Sequence, residues 1–207
     1  MSTISIIGSG GMAAAIGGRA AKAGHTVEVV SRDPAKARAL AEKLASGATA
    51  GTYGAVPAGE IVILAVPYPS AAAVVTEYAT ALAGKVLIDV TNPMSPDLTG
   101  LVTPHGSSGA QELAKHLPAG THLVKAFNTL FGHVLAKREH LDAFLAADDA
   151  AAKARVSTFL ESLGLRPLDV GGLHMAHSLE ALGLMMIGLA KNGARTWDLA
   201  VKVDLGP

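Results

Sequence analysis

The run "ISIIGSGGMAAAIGGRAAKAGHTVEVVSRDPAKA", Ile4 to Ala37, constrains this chain more than any other. Gly8, Gly10 and Ala13 form a G-x-G-x-x-A turn between a β-rich segment, Ile4 to Ile7, and an alanine-rich helical segment, Met12 to Ala23. The first glycine permits a tight turn, the second lets phosphates approach the backbone, and the small third residue lets helix and strand pack closely. Unpaired N–H groups at the helix N-terminus then favour an anion. A βα turn that binds nothing would use the same glycines for packing alone. The setting of strand, turn, helix and second strand makes a dinucleotide site the expectation.

The end of the second strand sharpens that expectation. An acidic residue there would bind the ribose 2′-hydroxyl of NAD, whereas a nearby arginine accommodates the 2′-phosphate of NADP. This chain has Ser31 and Arg32, with Lys36 one turn into the next helix. Ser31 offers a hydroxyl and Arg32 a planar fork for phosphate oxygens or an adenine face. The spacing predicts NADP(H) in preference to NAD(H). Without a ligand, Arg32 and Lys36 would be a solvated helix entry paired with Asp33.

Along the chain, β-rich runs at Ile4 to Ile7, Thr26 to Ser31, Ile61 to Val66, Val86 to Val90 and His122 to Ala126 alternate with helical runs at Met12 to Ala23, Pro34 to Leu44, Ser70 to Leu82 and Gly109 to His116. This is the pattern of an α/β Rossmann-type fold, a doubly wound parallel sheet. Residues 1–147 are expected to form it. Residues 148–207, with a helix, a short strand "LRPLDV" and a long apolar helix from Leu173 to Asn192, are expected to pack on it as a small helical lobe. Val102 to Ala110 reads as a mobile loop. The apolar stretch Leu179 to Ala190 is shorter than the roughly 20 residues a bilayer demands, and the N-terminus shows no leader pattern.

The 207 residues carry a formal net charge of zero and no cysteine. That gives no basic footprint for nucleic acid and no thiolate chemistry, and it suits a cytoplasmic protein. His174, His177 and Glu180 share a helix face but lack a fourth ligand, so no metal site is expected. No Ser-His-Asp grouping and no Tyr-Lys pair stands at readable spacing, which argues against a small carbonyl or imine reductase.

In open α/β sheets, ligands bind beyond the carboxyl ends of the strands. The loops there carry Ala65, Val66 and Pro67, which would support the nicotinamide ribose. Asn92 and Pro93 would border the nicotinamide, and Phe127 and Asn128 would line the opposite wall. The alternative is ordinary turn chemistry.

These residues resemble a known family. "IIGSGGMAAAIG", "SRDPAKA" and "LGLRPLDVGGLHMAHSLEALGLMMIGLAKNGARTWDLAVKV" are similar to the NADP oxidoreductases that use the deazaflavin coenzyme F420. The resemblance implies that Ser9, Gly11 and Met12 lie along the pyrophosphate loop and that Ser31, Arg32 and Lys36 hold the 2′-phosphate. It also implies that the C-terminal helices cover the nicotinamide and help build a homodimer. The central loops depart from that pattern: Asn128, Thr129, Leu130 and Phe131 stand where the family has His-Thr-Ile-Pro. "VKAFNT" and "TNPMSP" resemble instead the NADPH–flavin reductase domain of six-transmembrane metalloreductases. The expected activity is hydride transfer between NADP(H) and a flavin-type acceptor, with coenzyme F420 ahead of FMN, FAD or riboflavin. Orientation would replace acid–base catalysis, and Ala126 and Gly132 would leave room for a flat ring, so that a bulky residue at 132 would impair acceptor reduction alone. An NADPH-binding sensor, or an electron-delivery module that acts only with a partner redox protein, is the alternative.

Overall fold

A computed structural model describes residues 1–204 and Gly206. The element order is β1 (Thr3–Ile7), α1 (Gly11–Lys22), β2 (Thr26–Val30), α2 (Pro34–Leu44), β3 (Thr49–Ala50), β4 (Ile61–Leu64), α3 (Tyr68–Tyr78), β5 (Val86–Asp89), α4 (Gly109–Ala114), β6 (His122–Ala126), α5 (Gly132–Lys137), β7 (Asp142–Ala146), α6 (Ala150–Ser162), β8 (Arg166–Asp169) and α7 (Ala176–Gly188). The strands form one sheet in the order β3-β2-β1-β4-β5-β6-β7-β8. β7 runs antiparallel to β6, and the other pairs are parallel.

Strand sequence explains why both sheet faces are covered. Successive side chains point to opposite faces, so Ile61 and Ile63 enter one core and Val62 and Leu64 the other. The first core holds the buried faces of α1, α2, α5 and α6, and the second those of α3 and α4 with Ala176 of α7. Strands buried on both sides therefore read as unbroken apolar runs. Helix starts follow local chemistry as well. Asp33 accepts from the backbone N–H groups of Ala35 (3.0 Å) and Lys36 (3.4 Å), which fixes the start of α2 directly beyond Arg32.

Several expectations change. The division at 147/148 falls inside the sheet, because β8 pairs in parallel with β7 and α6 packs in the first core. The C-terminal segment is therefore only partly a helical lobe. β7 and α5 were not foreseen: "DAFLA" is five residues long with every residue buried, and α5 is too short to show a helical period. The end of the Val102–Ala110 loop is pinned, since Ser108 is fully buried and caps α4 through the Gln111 N–H at 3.0 Å. The long apolar helix expected from Leu173 to Asn192 is present, built from three consecutive pieces. A 3₁₀ turn before α7 and a π turn after it extend the helical stretch to 21 residues, Leu173–Gly193, long and apolar enough to cross a membrane by length and composition. Here it lies on the sheet and buries Leu179, Glu180, Gly183 and Met186.

Candidate functional site

Strand order reverses between β1 and β4, and a groove opens beyond their carboxyl ends. Gly8 makes the turn possible. It has φ +134°, and a Cβ there would lie 2.1 Å from the Ala65 carbonyl oxygen, so any side chain would push β4 away. Gly10 and Gly11 face open space, with nothing within 4 Å of an added Cβ. The N-terminus of α1 has no side-chain cap and no acidic residue in its first turn, whereas α2, α4 and α6 are capped by Asp33, Ser108 and Asp149. Its first N–H groups therefore point into the groove unclaimed by a side chain.

One arm of the groove, about 350 Å³, is lined by Gly8, Ser9, Gly10, Ser31, Arg32, Asp33, Lys36 and Tyr53. Ser9 and Ser31 face each other with their hydroxyls 3.2 Å apart. Arg32 and Lys36 are exposed, and the Lys36 ammonium is 3.9 Å from Asp33. Tyr53 is a residue that sequence reasoning missed. Its hydroxyl donates to Glu77 at 2.8 Å, and burial together with Glu77 pushes its pKa up to about 12, with Arg32 opposing. It arrives from a Gly- and Pro-rich connection without any motif of its own.

The second arm, about 450 Å³, shares Gly10, Ala65, Val66 and Pro67 with the first, so the two run together over the tip of β4. Its other walls are Gly11, Met12, Tyr68, Thr91, Asn92, Asn128, Leu130 and Phe131, with Gly183, Met186 and Ile187 of α7. Among the described residues, none lining this arm is charged. Asn92 and Asn128 brace each other: Asn92 Nδ2 donates to the Asn128 carbonyl at 2.7 Å, and Asn128 Nδ2 donates to Asn92 Oδ1 at 2.9 Å and to the Leu179 carbonyl at 2.9 Å. Asn128 Oδ1 is buried without a partner among the described residues.

Five expected residues sit elsewhere. Ala13 is fully buried under the turn, as its packing role demands. Phe127, at φ +63°, breaks the strand alternation, so its ring drops into the first core beside Ala126, both fully buried, and Leu130 and Phe131 form the wall instead. Pro93 is buried and packs near Gly109 rather than on the groove. Gly132 lies beneath the α1 turn, where an added Cβ would meet the Gly11 carbonyl at 3.3 Å, so its smallness serves the turn and not an open ring pocket. His174 and His177 are exposed while Glu180 turns inward and is fully buried, which separates that trio. A larger cavity of about 570 Å³, at the far end of α1 around Arg19 and His140, holds none of the fingerprint residues.

A family described as NADP oxidoreductase, coenzyme F420-dependent, matches residues 3–93. An F420-dependent NADP reductase of Methanothermobacter marburgensis is 30% identical over 94% of this chain and 95% of its own length. The chain belongs to the coenzyme F420-dependent NADP oxidoreductase family. Its fold follows that family closely: a protein of Arthrobacter sp. FB24, provisionally assigned as an F420-dependent NADP reductase, superposes with a TM-score of 0.86 at 26% identity, covering 99% and 100% of the two chains. The metalloreductase STEAP3 of Rattus norvegicus is 32% identical over 89% of this chain, which spans 37% of that protein's length. Both resemblances that the sequence carried are thus found, and the second reaches beyond the central loops.

Proposed function

We propose that this protein is an NADP(H)-dependent oxidoreductase that passes hydride between NADPH and a flavin-type acceptor, with coenzyme F420 ahead of FMN, FAD and riboflavin. The observation that carries this reading is the continuous groove over the β1/β4 switch point, with Ser31, Arg32 and Lys36 at one end and an uncharged crevice roofed by α7 at the other. The donor set fits NADP(H): open glycine backbone and uncapped helix N–H groups for the pyrophosphate, and a hydroxyl, a guanidinium and an ammonium where an acid would select NAD. When bound, the cofactor supplies the hydride at its nicotinamide ring. The chain supplies the rest. Ala65, Val66 and Pro67 support the ribose, the Asn92–Asn128 brace fixes one wall, and Met186 and Ile187 exclude water from above.

The reductase of Methanothermobacter marburgensis, matched nearly end to end, supports the deazaflavin as acceptor. The metalloreductase likeness and the "KAFNT" loop support a flavin instead. We place the protein in the cytoplasm as a homodimer that pairs α7 and the following turn, where Met185 and Leu189 are 59% and 47% exposed beside the crevice. Anaerobic NADPH oxidation with F420, FMN, FAD and riboflavin offered separately tests the reading. Saturable turnover with F420 is expected, and turnover with flavins alone would transfer the acceptor to the second likeness. Tight NADPH binding without turnover on any acceptor would leave a sensor or electron-delivery module.

A further inference from the structure

Beneath the uncharged crevice lies a group of charges that the proposed reaction does not use. Lys125, Asp89 and Glu180 are each fully buried. The Lys125 ammonium donates to Asp89 Oδ2 at 2.8 Å and to the Thr91 carbonyl at 2.6 Å, and lies 2.9 Å from Glu180 Oε1. Asp89 Oδ1 also accepts from the Thr91 N–H at 2.8 Å, and Glu180 accepts from the Gly109 and Ala110 N–H groups at 2.8 and 3.1 Å. Apart from the Thr91 carbonyl, which accepts from Lys125, each partner named is a donor to one of the two carboxylates. The two acids raise the Lys125 pKa against the burial that lowers it. One ammonium and two carboxylates leave a buried net charge of −1.

Burying such a charge is costly, and apolar side chains of similar volume would fill the space without that cost. The cluster touches the crevice through its own partners: Thr91 lines the crevice, Asn92 follows it, and Gly183 stands one helical turn beyond Glu180. Its field reaches the wall. Burial raises the Tyr68 hydroxyl above its ordinary pKa, and Glu180, Glu112 and Asp89 add to that rise while Lys125 opposes it.

We propose that the Lys125–Asp89–Glu180 cluster acts as an electrostatic positioning group that favours NADP⁺ over NADPH in the crevice and so promotes hydride donation. This rests on the reading that the nicotinamide occupies the second arm. Loss of hydride, two electrons and one proton, to a flavin-type acceptor turns a neutral dihydronicotinamide into a cationic ring. A net negative charge nearby stabilises the cation and leaves the neutral ring almost unaffected. No charged side chain lines the crevice among the described residues; the N-terminus of α1 at Gly11 and Met12 is the opposing wall feature, and it is the same in the variants below.

The test is a binding ratio, measured anaerobically without acceptor. A unit charge about 10 Å away at an effective dielectric of about 20 changes an affinity by about tenfold. Glu180→Gln neutralises the cluster, so the preference for NADP⁺ over NADPH falls by about tenfold, equivalent to about 30 mV on the two-electron couple. Asp89→Asn removes the same unit of charge at another point and carries the test if the first variant does not fold. An unchanged ratio in a folded variant, even with weaker binding of both forms, would make the cluster a structural pin and overturn the proposal. Failure of the unaltered protein to bind either form would instead overturn the cofactor reading on which the proposal stands.

Discussion

Arg32→Ala separates the account of cofactor choice from its alternatives. The side chain is exposed, and no hydrogen bond or ion pair engages its guanidinium among the described residues, so its removal leaves the fold intact. Asp33 still caps α2 and keeps Ser31 and Lys36 in place. A charge-assisted hydrogen bond contributes roughly 1.5–3 kcal/mol, and solvent exposure places this one near the lower end. About 1.4 kcal/mol is tenfold in affinity, so NADPH binding weakens by about tenfold while NADH, which lacks the phosphate, is unaffected. Adding Lys36→Ala deepens the loss to somewhere between about tenfold and a hundredfold, because two groups on one phosphate are not independent. Fluorescence titration with both nucleotides at low and high salt reads the effect, and the salt dependence of NADPH binding flattens in the double variant. Equal losses for NADPH and NADH, or none for either, would refute the assignment of Ser31, Arg32 and Lys36 to the 2′-phosphate.

Other predictions rest on separate parts of the site. Gly132→Leu presses on the Gly11 backbone, so it weakens NADPH binding together with acceptor reduction; a variant that lost only acceptor reduction would restore the open-pocket role of Gly132. Asn128→Leu strips donors from Asn92 Oδ1 and the Leu179 carbonyl, and costs about 1–3 kcal/mol of stability, with turnover falling further than the melting temperature alone would explain. His25, buried between Ser162 and Phe159, has its pKa lowered below the ordinary histidine value, chiefly by burial. The unfolded chain therefore binds the proton more readily. Stability should be complete above about pH 6.5 and decline as pH falls toward the lowered folded value, with the slope reduced in His25→Gln thermal melts from pH 8 to 5.

The parts of the site visible in the sequence are those fixed by local backbone demands. Gly8 cannot be another residue in this turn, Asp33 and Pro34 start α2 by short-range chemistry, and Ser31 and Arg32 fall where the strand ends. What stayed hidden depends on distant packing. Tyr53, Tyr68 and the α7 residues Gly183, Met186 and Ile187 reach the groove only after the sheet has brought separate segments together. Phe127 misled because one positive φ after β6 exchanges inward and outward side chains, a switch that no period in the sequence records. β7 escaped because "DAFLA" is equally compatible with a short buried helix. Glu180 shows the same limit: its helix position suggested a shared face with two histidines, yet its partners come from β6 and the start of α4.

Deuterium transfer follows the hydride itself. With NADPH labelled at carbon 4 of the nicotinamide and coenzyme F420 as acceptor, hydride passed directly leaves deuterium on a carbon of the deazaflavin, where it does not exchange with water. One deuterium retained in the reduced coenzyme by mass spectrometry, from one face of the nicotinamide only, is the expected result. Reduced coenzyme without the label, or no reduction while NADPH binds normally, would contradict it.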